Sequence, residues 1–71
     1  MKHLKGFDST NGQEIKLSMP EVDKLVKQAG HVSRVSTDAL VKDKGGRITH
    51  ELYDYNNYIR WVEEHPAESA N

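Results

Sequence analysis

The side chains that could do chemistry are few and scattered. The histidines stand at His3, His31, His50 and His65, and no two share the i, i+4 spacing that places a pair of zinc ligands on one helix face. The chain has no cysteine, which removes disulfides, thiolate metal sites and any Cys-His nucleophile. Serines and aspartates are present, but no Gly-x-Ser-x-Gly elbow is. Gly45-Gly46 lacks the following Lys-Ser/Thr of a phosphate loop and reads as a turn. These absences lead us to expect a chain that is not an enzyme, with no metal, no cofactor and no small-molecule substrate.

Binding chemistry is better represented. Between residues 24 and 47, Lys24, Lys27, Arg34, Lys42, Lys44 and Arg47 face only Asp38 and Asp43. From residue 51 onward the balance reverses, with Glu51, Asp54, Glu63, Glu64 and Glu68 against Arg60. The formal net charge is −1, so any pull on nucleic acid must come from the basic middle rather than from the whole molecule. The aromatic side chains are concentrated in "THELYDYNNYIRWVEEHP", residues 49–66. Three tyrosines and the only tryptophan fall there, and Phe7 is the one aromatic elsewhere. Such a cluster is either a contact surface or the core of a small protein.

The elements that must position these groups belong to one small unit. At 71 residues there is room for a single core, and we place the domain at 1–66 with a flexible tail over 67–71. The basic start "MKHLKGFDST" has no apolar run behind it, so neither a signal peptide nor a membrane span is expected, and the composition fits a cytoplasmic protein.

Residues 2–17 pattern as a β-hairpin turning at "STNG". A two-residue Asn-Gly turn would set Phe7 opposite Lys16. A three-residue loop, Thr10-Asn11-Gly12 with Gly12 left-handed, would set Phe7 opposite Ile15 and put two apolar side chains on one face. The second is the better pattern, with Gly6 as a bulge that lets Leu4 join that face. "LSMPEVDKLVKQAG" then reads as a helix. Ser18 caps it, Glu21 completes the capping box, and Leu17 and Val22 form a hydrophobic staple. Val22, Leu25, Val26 and Ala29 make its apolar stripe, and Gly30 closes it.

"HVSRVSTDALVKDKGG" admits two readings. As a helix capped by Ser33, it spaces Val32, Val35 and Ala39 at i, i+3, i+7. As a strand, it alternates Val35, Thr37, Ala39 and Val41. The helical spacing fits slightly better. "GGRITHELYDY" alternates Ile48, His50 and Leu52, as a short strand or returning hairpin arm would. A final helix begins at an Asp54 cap, with Tyr53 and Tyr58 as staple and Tyr55, Ile59 and Val62 facing inward. Trp61 lies about 100° round from that stripe. Pro66 ends the helix.

The segments "LSMPEVDKLVKQAG", "VSRVSTDALVKDKGGR" and "ELYDYNNYIRWVEEH" together resemble small phage DNA-binding proteins: the excisionases and the N-terminal domains of terminase small subunits, with a MerR-like winged-helix fold. The family's Leu-Tyr-Asp, spacer, Ile-Arg/Lys-Trp pattern falls on Leu52, Tyr53, Asp54, Ile59, Arg60 and Trp61. The resemblance covers roughly residues 17–65. Together with the pattern of the residues, it leads us to expect an α+β chain: an N-terminal β-hairpin, which the family lacks, then a capped helix, a candidate helix-turn-helix with a short wing, and a C-terminal helix. As short donors and one long cation at the start of a second helix, Ser33, Arg34, Ser36 and Thr37 would meet double-stranded DNA, and the resemblance implies the same role for Arg34, Ser36 and Thr37. Lys42, Lys44 and Arg47 would touch its backbone from the wing. The function expected is then a regulator of phage or mobile-element type.

The alternative is a phage-encoded module that inhibits or redirects a larger host protein, such as RNA polymerase or a defence enzyme. Its anchors would be Phe7, Tyr58, Arg60 and Trp61. The conformation of residues 33–42 separates the two. A helix there favours DNA, and a strand paired with residues 47–53 favours protein recognition.

Overall fold

The computed structural model describes residues 3–65, and within them alternating side chains build five strands, all antiparallel to their neighbours. In chain order the elements are β1 (His3–Asp8), β2 (Gln13–Ser18), α1 (Met19–Gln28), β3 (His31–Val35), β4 (Asp38–Lys42), β5 (Ile48–Leu52) and α2 (Asn56–Glu64). The sheet order is β2-β1-β5-β4-β3, so the last strand enters between the two hairpins and joins them. The expected tail at 67–71 and the stop at Pro66 lie outside the described residues.

The first hairpin turns through four residues, Ser9 to Gly12, and the register expected for it is corrected. Asp8 pairs with Gln13, Phe7 with Glu14 and Gly6 with Ile15, which puts Phe7 and Ile15 on opposite faces. Gly12 is left-handed, and its amide donates to the Asp8 carbonyl at 2.8 Å. Gly6 is no bulge. It pairs in register with Ile15 and Leu52, and a Cβ there would collide with the Glu51 carbonyl oxygen.

Helix α1 starts as its local chemistry dictates. The Ser18 hydroxyl accepts from the Glu21 amide, and the Glu21 carboxylate accepts from the Ser18 amide, at 3.3 and 2.8 Å. Its end differs from expectation, because the cap is Ala29 in an extended conformation. Gly30 is needed for another reason. Its amide donates to the Lys42 carbonyl, and a Cβ would press on the Asp43 backbone 2.6 Å away.

The helix-turn-helix with its wing is overturned. Residues 31–42 form a two-stranded hairpin in which Val32 pairs with Val41 and Arg34 with Ala39, and β4 then pairs with β5. The i, i+3, i+7 spacing came from residues on two strands: Val32 and Ala39 face the helices, and Val35 faces away. No recognition helix exists to carry Ser33, Arg34, Ser36 and Thr37.

The turn of this hairpin is Ser36-Thr37, with Ser36 at φ 59°. Positive φ at the first of two turn residues is a place for glycine, and other residues pay roughly 1 kcal/mol to occupy it. Ser36→Gly is therefore expected to stabilise the fold by up to about 1 kcal/mol, raising the thermal midpoint a few degrees. A calorimetric scan of the two proteins checks this.

Both helices cover one face of the sheet. Leu4, Ala39, Val41 and Leu52 rise from the strands to meet Met19 and Val22 of α1, and Tyr55 and Tyr58 at α2. Leu52, with no exposed surface, lies at the centre between Gly6 on β1 and Ala39 on β4. Small residues on either side leave room for the tyrosines above. Among the described residues no helix is long and apolar enough to cross a membrane.

Candidate interaction surface

Of the aromatic cluster, Tyr55, Tyr58 and Trp61 serve to hold α2 on the sheet. Tyr55, Tyr58, Trp61 and His65 form a ladder along one side of the helix, with ring centroids 5.2, 6.3 and 5.3 Å apart in turn. Tyr58 is buried, and its hydroxyl donates to Asp23 Oδ1 at 2.7 Å. Lys27 Nζ meets Asp23 Oδ2 at 2.9 Å, which completes a polar link between α1 and α2 inside an otherwise apolar layer. Burial, and then the Asp23 carboxylate, push the Tyr58 phenol well above its ordinary range, so it remains a donor at any physiological pH.

The start of α2 departs from expectation. Asp54 is not its cap but a left-handed residue at φ 51°, and the capping position belongs to Tyr55, with no side-chain bond. The Asp54 amide donates to Asp38 Oδ1, and the Tyr55 amide to the Thr37 carbonyl. The inward side of the helix is Tyr55 and Tyr58, and Ile59, expected inside, is 37% exposed. Trp61 and Val62 are half-buried against the core.

The residues expected to bind DNA do not converge on one surface. Arg34 lies on the helix-covered face, over the Tyr55 ring at 5.1 Å, with Nη2 donating to Asn56 Oδ1 at 2.6 Å. It fixes α2 to the edge strand. Ser36 and Thr37 occupy the turn at one end of the β3–β4 hairpin, and Lys44 and Arg47 the loop at the other. Ser33 and Lys42 point away from the helices. The alternative set is divided as well, with Tyr58 in the core, Trp61 and Arg60 on α2, and Phe7 on the opposite side of the sheet.

One cluster has the residue types of a catalytic triad without its geometry. His50 Nε2 is 3.7 Å from Asp8 Oδ2, and Nδ1 is 3.0 Å from Thr49 Oγ1. The Thr49 hydroxyl, however, donates its proton to the Val41 carbonyl at 3.2 Å. It can only accept from Nδ1, so the imidazole is not placed to deprotonate it.

Asp8 has a structural role instead. Hydrogen bonds from the Thr10 side chain and amide, with smaller help from His50, hold its carboxyl below the ordinary value. A depressed carboxylate stabilises the fold above the unfolded value and loses that contribution as pH falls through the folded one. Acid titration of unfolding is thus expected to show stability declining below about pH 4, less steeply in Asp8→Asn.

Among the described residues, nothing covers the face of the sheet away from the helices. Cross-strand partners share a face, so one row runs Glu14, Phe7, Glu51, Leu40, Ser33 across all five strands. Phe7, Glu51 and Leu40 are half-buried at its middle. Comparison with family models, with curated proteins and with solved structures finds no match to this chain. Its function must be read from its own surface.

That surface is more apolar than a solvated sheet face needs to be. A register shift between Val41 and Lys42 sets Ile48 opposite Lys42 and so on the open side, where it is 40% exposed. Val35, at the edge, is 52% exposed. Tyr53 continues β5 past Leu52, its amide donating to the Lys5 carbonyl. Desolvation and the nearby carboxylates of Glu51, Glu14 and Asp38 hold its phenol above the ordinary value. Lys5, Lys16 and Lys42 complete the margin.

Sequence reasoning missed this surface. Phe7 and Leu40 become neighbours only through Glu51, on a strand that arrives last in the chain.

Proposed function

We propose that this chain is a non-enzymatic cytoplasmic interaction module that binds a larger protein through the open face of its sheet. The observation that carries the reading is the central row Phe7–Glu51–Leu40 on a face that no element among the described residues covers. Antiparallel sheets often leave one face to water, and that face is then polar in alternation. Here the two positions flanking the centre are apolar, with Val35 and Ile48 further out.

The arrangement suits a partner with apolar groups over Phe7 and Leu40 and a basic side chain on Glu51. Such a charge, ringed by apolar contacts, is shielded from water and salt and contributes to specificity. The β3–β4 hairpin supports this reading over duplex recognition, since it replaces the helix that would enter a groove.

The test is retention of a stoichiometric partner from a bacterial lysate by immobilised wild-type chain, compared with Phe7→Glu/Leu40→Glu. Both side chains point away from the core, so circular dichroism of the variant should match the wild type. Loss of two anchors is expected to weaken binding at least 30-fold, about 2 kcal/mol or more. A partner retained equally by both proteins, or no partner at all, contradicts the reading.

A further inference from the structure

On one margin of the open face, Lys5 and Lys16 are directly opposed across β1 and β2. Their Cβ atoms in such a pair stand about 5 Å apart, and like charges so placed destabilise a sheet. Among the described residues neither ammonium lies within ion-pair distance of a carboxylate. The two lysines line a groove of about 460 Å³, together with His3, Tyr53, Asp54 and Asn57. That volume is in the range of small-ligand sites.

We propose that this groove binds a nucleoside monophosphate, with its phosphate on Lys5 and Lys16 and its base against the Tyr53 ring. Two adjacent ammonium groups supply the charge a phosphate needs, and the anion relieves their repulsion. The Tyr53 phenol, held neutral and set next to Lys5, offers a flat surface a short reach away. The Asn57 amide and the Asp54 carboxylate provide a donor and an acceptor for sugar hydroxyls and base edges. Phosphate and ring are both required, because the lysines alone would hold any anion weakly in salt. This site borders the proposed docking face but uses none of Phe7, Glu51 and Leu40, so either can fail without the other.

Two-dimensional ¹⁵N NMR of the full chain, at low salt, titrated separately with AMP, adenosine and inorganic phosphate, tests the assignment. AMP is expected to move the amides of Lys5, Lys16, Tyr53 and Asn57, with an affinity about tenfold or more above either fragment. Lys5→Gln/Lys16→Gln should abolish that response while raising the thermal midpoint, since the like-charge pair is gone. The proposal is overturned by no shift at these amides, by shifts spread equally over Lys24 and Lys44, by phosphate binding as well as AMP, or by an unchanged titration in the variant.

Discussion

Replacing Leu52 with alanine is expected to cost 2–5 kcal/mol, the range for deleting a fully buried leucine side chain. Leu52 has no exposed surface and sits in the strand that joins the two hairpins. Its flanking partners, Gly6 and Ala39, are too small to close the cavity. A chain of 71 residues has a total stability of only about 4–10 kcal/mol, at about 0.05–0.15 kcal/mol per residue. The variant should therefore be partly unfolded at 37 °C. Urea denaturation followed by Trp61 fluorescence measures the loss directly. A cost below about 1 kcal/mol would mean that β5 is not the centre of the core.

The second large effect belongs to the link between the helices. Tyr58→Phe removes the donor to Asp23 Oδ1 but keeps the ring stacked between Tyr55 and Trp61. Asp23, 7% exposed, is left with Lys27 and one oxygen short of a partner. An unsatisfied buried group costs about 1–3 kcal/mol, so the thermal midpoint should fall by roughly 5–20 °C. Since only a hydroxyl is lost, a drop of that size cannot come from packing. Thermal unfolding of Tyr58→Phe beside Tyr55→Phe separates the two, because no hydrogen bond ties the Tyr55 hydroxyl to a carboxylate among the described residues and its loss should cost less.

What could be read from the sequence was what depends on neighbours in the chain. The α1 start is fixed by Ser18 and Glu21 three residues apart, and Gly12 marks its turn through its own conformational freedom. The hairpin register was not legible in the same way. Alternation within β1 and β2 favoured Phe7 beside Ile15, but Gly6 must lie against Leu52 on β5, and that long-range pairing decides the loop length.

Residues 31–42 misled for a related reason. Their turn, Ser36-Thr37, contains no glycine or asparagine to announce it, and valines from two strands imitate a helical stripe. In α2 the left-handed Asp54 delays the helix, and Tyr58 rather than Ile59 takes the buried place beside Tyr55. The basic middle, which looked like one binding segment, is divided by the hairpin between two faces and two ends. The candidate surface itself depends on the strand order, which no local pattern encodes.

In the function proposed, a partner docks on the open face through Phe7, Glu51 and Leu40. The most direct measurement is a photo-crosslinking scan in which benzoylphenylalanine replaces Phe7, Leu40, Lys24 or Arg60 in turn, in bacterial cells. The account predicts one common crosslinked protein from positions 7 and 40, and none from Lys24 and Arg60 on the helical side. Crosslinks arising from the helical side alone would contradict it.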